Sequence, residues 1–553
     1  WPAAAGPEIV PHSPVLFLAQ SLMFSTLGGS EFTARLLTAL AGAALALSPA
    51  AFRGLLGKTH ALVMALVLTC SPVLLVTSRT GSPMVWALLA AVAGLWALWR
   101  YEEARNPAQA VLATVCLAAL VLLAAPGGPV VALVLLGAGL FALWLTRTDA
   151  AGQDILAVAS ERLAGWPWRL SLTIAAFVVG VVSTGFLLIP GGLSAIGELL
   201  AAALRGLTTP IPGAPPFFPI WITLFYEPFT AVTAIVGAWW LARRGSITFV
   251  ERFLLGWIVF AVFASVIYAG AGADHALWLA FPLSGLAAAT LSRLLANERK
   301  FWQAPGWAKW VLALIMLALM FSLAVHGQTL ARTLLLSVDG SLQLNQIDAR
   351  SAVWTIVTVL FMVTGFFMAA SLWSTYTAGQ GWALGAVIFG LVTSLGSGWN
   401  AAVVEAGNPV EFWHVQPTSA ETWLLRQTLA EVAARETGGF PQLELAVLAP
   451  TDSVTAWLVR DYPRTRFITD VSEARGLPIV LLPALPAPPD LGGSYVGHPF
   501  TISGVWSGQN LRPIDFPAWW MARRARIPGT PLLTIVLWLR QDVYDGVEFE
   551  PLR

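Results

Sequence analysis

Arg35 stands one helical turn after Glu31 in the run Gly-Gly-Ser-Glu-Phe-Thr-Ala-Arg-Leu-Leu, just inside the outer end of a long apolar segment. A permanently charged guanidinium there needs an anion: a phosphate, which it can grip with two parallel N–H donors, or Glu31 at i, i+4. Arg79 lies in Thr-Ser-Arg-Thr-Gly-Ser-Pro, a short loop rich in hydroxyl donors. It suits an anionic headgroup, either of bulk lipid or of a specific donor. His12, in Pro-His-Ser-Pro, is a site candidate or a loop hydrogen-bonder. Tyr226-Glu227-Pro228 places a carboxylate inside an apolar run, before a proline that frees a backbone carbonyl. A group so placed is a site residue or half of an ion pair between helices. Asp274 and His275 pair a carboxylate with an imidazole, a combination that handles protons or ligates a metal. Two residues do not make a zinc site, and nothing in the sequence supports a divalent ion. By themselves these groups imply an outward-facing polar cavity and no named reaction.

The elements that must position them are membrane spans. Hydrophobic residues make up 57% of the 553 and charged residues only 11%, whereas soluble domains carry roughly a quarter charged. A water-soluble protein is excluded. The net charge of +1 gives no basic field, so nucleic acid is not an expected partner. Cys70 and Cys116 fall inside apolar runs, which argues against a disulfide framework or a thiolate metal cluster. About twelve apolar segments approach the 20 or so residues that cross a bilayer: 31–52, 60–77, 84–99, 108–125, 128–146, 170–189, 218–241, 252–270, 274–296, 308–327, 351–373 and 380–399. The stretch 13–28 is short and Pro-flanked, and it reads as a helix in or near the interface.

Residues 401–553 hold 28 of the 61 charged groups, which divides the chain into a membrane part, 1–400, and a C-terminal soluble domain, 401–553. One alternate set of loops in the membrane part carries 14 Lys and Arg, and the other carries Arg35, Arg79, Arg205, Arg332 and Arg350. The positive-inside rule puts the first set in the cytoplasm, with Trp1 and the C-terminal domain outside. An outside N-terminus without a leader implies one further span upstream of Trp1. The outer loop 190–217 has a Pro-Gly-rich end that cannot be regular helix, and 328–350 is a second long outer segment. No internal repeat or pair of broken helices of the transporter kind is visible.

In the C-terminal domain, Thr418-Ser419 with Glu421 reads as a capped helix start, and Gly438-Gly439 as its stop. The apolar runs 443–449, 478–482 and 532–539 read as strands, with a helix over 456–461. A small α/β domain with a partly parallel sheet follows. The Pro-rich stretch 483–489 reads as a surface loop.

Taken together, several islands resemble one family. They are His12-Ser13-Pro14, Leu27 to Leu36, Ala39 to Gly42, Ser71-Pro72, Ser78-Arg79, Tyr226-Glu227-Pro228, Ala271 to Leu279, and Trp457 to Tyr462. In order and spacing they resemble the polytopic type C (GT-C) glycosyltransferases, in particular the prokaryotic flippase activity-associated and protein O-mannosyltransferase-like membrane proteins. The resemblance implies transfer of a sugar from a polyprenyl-phosphate donor at the outer surface of a prokaryotic plasma membrane. It implies that Arg35 holds the donor phosphate and that His12 lies on the acceptor side. A phosphate leaving group needs a cation, and the acceptor needs a carboxylate base. The family's acidic base falls upstream of Trp1, and Glu8, off that spacing, is the candidate within the chain. The family's His-Pro-Pro reads His-Ser-Pro here. Two other functions fit the same architecture. One is a catalytically silent membrane subunit or scaffold of a larger complex, and the other is a lipid or polymer exporter.

Overall fold

The computed structural model describes residues 13–146, 165–244, 247–296, 305–333, 348–408, 410–451, 453–506, 511–526 and 529–544, with positions 154, 157, 160, 161 and 335. His12 and Glu8 lie outside the described residues. The chain divides into two compact units, one built from the helices up to Val404 and the other from Glu405 onward.

The first unit is a multi-pass helical membrane domain. Among the described residues nine helices are long and apolar enough to cross a bilayer, and two bent pairs raise the number to eleven. Three of the about twelve expected spans differ in detail from a single long helix. Segment 60–77 is the pair Lys58–Thr69 and Pro72–Thr80, bent by 57°. Segment 218–241 is the pair Phe218–Tyr226 and Pro228–Trp240, bent by 94°. Both breaks have the same cause. Proline lacks the N–H that would continue the ladder, and its ring pushes the preceding residue out of the helical region. Ser71 (φ −68°, ψ 117°) and Glu227 (φ −113°, ψ 36°) are those preceding residues. Segment 170–189 is helical only over the 16 residues Trp168–Ser183, about 24 Å, and falls short of the roughly 30 Å hydrocarbon core. It ends in a turn where Gly185, Phe186 and Leu187 are all left-handed.

Several helices start by one local device. Ser13-Pro14, Ser71-Pro72, Ser82-Pro83 and Asn106-Pro107 each put a capping oxygen before a proline whose fixed φ suits the first helical position. The oxygens accept the amides of Leu16, Leu74, Met84 and Ala108. The segment 13–28 is one 14-residue helix, Pro14–Leu27. Of the long segment 328–350, residues 328–333 belong to the helix Ala308–Thr333. In the loop 190–217, Ser194–Arg205 is helical and the Pro-Gly-rich end is irregular. The helix Ala273–Leu295 is central, with 78% of its apolar window buried within the unit. Most other spans bury about a third or less of theirs, leaving side chains such as Leu62, Phe177 and Phe367 exposed where lipid would meet them.

The second unit is a small α/β domain. Its strands are β1 (Leu445–Val447), β2 (Thr465–Phe467), β3 (Ile479–Pro483), β4 (Tyr495–Val505) and β5 (Thr530–Arg540), in the order β2-β1-β3-β5-β4. β1 runs parallel to β2 and β3, and β5 is antiparallel to β3 and β4, so the sheet is mixed. β2 and β4 escape the sequence reading. β2 is three residues long, and Gly497, Pro499 and Gly504 hide the strand character of β4. The helix Glu421–Thr437 packs Leu425, Leu429 and Val432 with Leu445, Val447, Ile479 and Phe500 into one core. At its start the Ser419 hydroxyl accepts the Glu421 amide, and the Glu421 carboxylate accepts the Thr501 amide. The expected helix over 456–461 is a single turn, Val454–Leu458.

Candidate functional site

Two polar centres stand out in the membrane unit, and one short helix joins them. The first lies where the two broken spans meet. Glu227 is fully buried, and its carboxylate accepts from the Ser71 hydroxyl, from the Val73 amide at 3.3 Å and from the Thr230 hydroxyl at 2.8 Å. Ser71 simultaneously caps the helix Pro72–Thr80 by accepting the Leu74 amide at 3.2 Å. The carboxylate therefore rests on the positive end of that helix, where unpaired backbone donors and the helix dipole favour an anion. Among the described residues no cation pairs with Glu227, so the sequence-stated alternative of an ion pair is replaced by a helix cap. Tyr226 is buried beside it at the last turn of Phe218–Tyr226.

The second centre lies at the other end of Pro72–Thr80. That helix stops at Gly81, left-handed at φ 75°, and Ser82 begins the next helix. The Ser82 hydroxyl donates to Asp274 Oδ2 at 2.7 Å. His275 Nδ1 is 2.8 Å from Asp274 Oδ1 and 3.1 Å from the Gly272 amide nitrogen. One nitrogen serves one of these at a time. A ring protonated at Nδ1 donates to Asp274, and a neutral ring protonated at Nε2 accepts from Gly272. Nε2 is buried against Gly127 and has no hydrogen-bond partner among the described residues. Tyr268 and Trp278 flank the imidazole at ring distances of 5.8 and 4.7 Å. The 190–217 loop is tied to this turn by the Gly270 amide, which donates to the Gly206 carbonyl at 2.7 Å, and any side chain on Gly206 would strike the Tyr268 hydroxyl.

The two arginines fall on helices that are fitted together. Arg79 is in the last turn of Pro72–Thr80, and Ser78 beside it packs into Gly42 of the helix that carries Arg35. A methyl group at Gly42 would lie 1.9 Å from Ser78 Oγ, so only glycine permits this approach. Arg35 is two turns before Gly42 on the same face, and Thr38 between them accepts the Trp86 indole N–H at 3.2 Å. Both arginines are exposed, and no hydrogen bond or ion pair joins either to another described residue. The i, i+4 pair of Arg35 with Glu31 is not made.

The structure thus brings Asp274 and His275 into contact with each other and, through Ser82, with the turn that follows Arg79. Glu227 is at the opposite end of the helix that bears Arg79. Sequence reading singled out neither Ser82 nor Thr230 as a partner, and Gly42 entered only within a longer motif. The usable signals were the two Ser-Pro helix starts at 71–72 and 82–83. Ser13, next to His12, donates to the Ala124 carbonyl. Among the described residues no group of three or more His, Cys, Asp or Glu is arranged to hold a metal ion.

No protein-family model matches the chain, and no curated protein matches it. Among solved structures it is similar to ArnT from Cupriavidus metallidurans in the apo state, at 15% identity and a TM-score of 0.48, over 85% of this chain and 82% of that one. It is also similar to ArnT from Cupriavidus metallidurans bound to undecaprenyl phosphate, at 12% identity and a TM-score of 0.49, over 96% of this chain and 88% of that one.

Proposed function

We propose that this protein is a membrane glycosyltransferase that moves a sugar from a polyprenyl-phosphate-linked donor to an acceptor on the outer face of a prokaryotic plasma membrane. The observation that carries the reading is the pair of exposed guanidinium groups, Arg35 and Arg79, on two helices fitted together at Gly42 and Ser78. In the reaction the acceptor attacks the anomeric carbon and gives up its proton to a base. The bond from that carbon to the phosphate oxygen breaks, and the polyprenyl phosphate departs as an anion. Arginines at the helix ends stabilise that leaving group. Asp274 and His275, tied to the Arg79 turn by Ser82, are the proton-handling pair within the described residues. The C-terminal unit is assigned to the outside.

The test is binding of undecaprenyl phosphate to the purified full-length protein in nanodiscs. Arg35→Ala and Arg79→Ala should each weaken it about ten- to a hundredfold, the loss of one charge-assisted contact, with thermal stability unchanged. Arg35→Lys keeps the charge without the fork and should fall between. Unchanged affinity in both alanine variants sinks the phosphate site.

One observation favours the exporter reading. Two broken spans meeting at a buried carboxylate is an arrangement seen in transporters. A flux assay decides between them: net movement of labelled polyprenyl-phosphate lipid across proteoliposomes, without sugar transfer, would favour export.

A further inference from the structure

The proposed function leaves Glu227 without a task, although it is buried at the meeting point of both broken spans. We propose that Glu227 is a positioning residue for Arg79, acting through the helix Pro72–Thr80. This deepens the phosphate-site reading and rests on it.

The helix is nine residues long, about 13 Å, and its two ends are held by different parts of the chain. At its start, Glu227 takes both the Ser71 hydroxyl and the Val73 amide on one oxygen. Its other oxygen is fixed by Thr230, one turn into the next helix, so the carboxylate cannot swing. At its end, Gly81 reverses the chain and Ser82 is bonded to Asp274. On its flanks, Ser78 enters the notch at Gly42 and Pro72 lies against Gly398, where a methyl group would come within 2.8 Å of the Pro72 Cα. Pro72 at the first helical position removes one amide donor that would otherwise compete for the carboxylate. A helix this short has little stability of its own, because nucleation is costly and few ladder bonds follow. Its direction is therefore set by what grips its ends. Of the two end clamps, Ser82–Asp274 follows the chain reversal at Gly81, whereas Glu227 binds a helix amide, that of Val73, directly and the capping Ser71 hydroxyl beside it. Loosening Glu227 should let the helix fray from Val73 toward Arg79, displacing the guanidinium from its place beside the Arg35 helix.

Two variants separate positioning from mere stability. Glu227→Ala removes the acceptor for three donors. Glu227→Gln can keep its carbonyl on Ser71 and Val73 while its amide donates to a reversed Thr230 hydroxyl, so it removes the charge and little else. The experiment measures hydrogen exchange of the 74–80 amides in the full-length protein in nanodiscs, together with undecaprenyl phosphate affinity in single and double variants. Exchange over 74–80 should quicken about tenfold or more in Glu227→Ala and less in Glu227→Gln. Lipid affinity should fall about tenfold in Glu227→Ala, and the Glu227→Ala/Arg79→Ala double variant should bind no worse than Arg79→Ala alone, because both changes remove one contact. A purely structural Glu227 would lower the melting temperature and leave affinity unchanged, or its effect would add to that of Arg79→Ala; either result overturns the proposal. If the wild type binds no undecaprenyl phosphate, the phosphate-site reading fails. The exchange data then decide on their own: unaltered exchange over 74–80 in Glu227→Ala also overturns the coupling of Glu227 to this helix.

Discussion

Glu227 in the membrane unit and Glu411 in the second unit are both completely buried, and they are satisfied differently. In the membrane unit Glu227 is held by two hydroxyls and a backbone amide at a helix start. In the second unit Glu411, equally buried, is held by Arg523, whose Nε lies 3.3 Å from Oε1. Arg523 is itself 8% exposed, left-handed at φ 49°, and stacked over Trp519 at 4.9 Å, with Nη1 donating to the carbonyls of Trp519 and Trp520. A second Arg network lies nearby in sequence, where Asp515 accepts from Arg526 at 3.1 Å and Arg512 at 3.2 Å. The difference is one of available donors. A broken span exposes amides that have lost their helical partners, and these can hold a carboxylate without bringing a second charge into the apolar interior. At Glu411 the Phe412 amide contributes as well, but a guanidinium, with five N–H groups in a fixed fork, supplies a charged partner of a kind that Glu227 lacks among the described residues. A buried charge can be held either way, but the second way leaves two charges to strand.

That last point gives the largest expected effect. Arg523→Met should destabilise the second unit by about 3–5 kcal/mol, because Glu411 keeps its burial and loses its guanidinium. A Glu411→Met/Arg523→Met double variant should recover most of the loss. Hydrogen exchange across the sheet amides of β3 and β5 would measure both, and a double variant as unstable as the single would break the comparison. Glu227→Ala should cost less, about 2–3 kcal/mol, since polar donors rather than a charge are left buried. Thermal unfolding of the full-length protein in detergent checks this, and a cost equal to that of Arg523→Met would erase the distinction. Gly42→Ala should cost about 1–3 kcal/mol by forcing the Ser78 hydroxyl out of its notch, with Ser78→Gly in the same chain restoring the fit. The same melting experiment, run on the pair, tests whether the two arginine-bearing helices are locked there.

The smallest effect is one of pH. Burial alone would raise the Asp515 carboxyl, but the hydrogen bonds of Arg526 and Arg512, and then their charges, outweigh it and hold the group below the usual aspartate range. A depressed folded value contributes stability that is fully present above the unfolded value, about 3.9, and is lost as the pH falls through the folded one. Protection of the 511–526 amides should therefore weaken as the pH drops below about 4, and Asp515→Asn should remove that acid-side slope. A slope that persists in the variant would assign it to another group.

Much of the architecture was legible because its causes are local. Apolar runs of span length, Ser-Pro helix starts and the Gly438 stop after Thr437 are properties of a few neighbouring residues, and composition by itself demanded a membrane domain. The same reading took 60–77 and 218–241 each as one span, and the structure breaks them at 71–72 and 227–228. The prolines were in view, but whether a proline kinks or breaks a helix depends on what receives the freed backbone groups. Likewise β4 was hidden because its glycines and proline argue against a strand, while its long pairing with β5 overrides them.

What only the tertiary structure decided is which polar groups meet. Ser71 and Glu227 are 156 positions apart, and Ser82 and Asp274 are 192 apart. Each residue type was visible, and its scarcity in an apolar chain marked it. Its partner was not, because hydrogen-bond geometry depends on the packing of whole helices, and periodicity along one segment carries no record of which other segment lies against it. The sequence determined that a handful of charges would have to be satisfied inside an apolar fold. Packing at Gly42 and Gly398 determined where the Pro72–Thr80 helix would run, and therefore which carboxylate would hold its start.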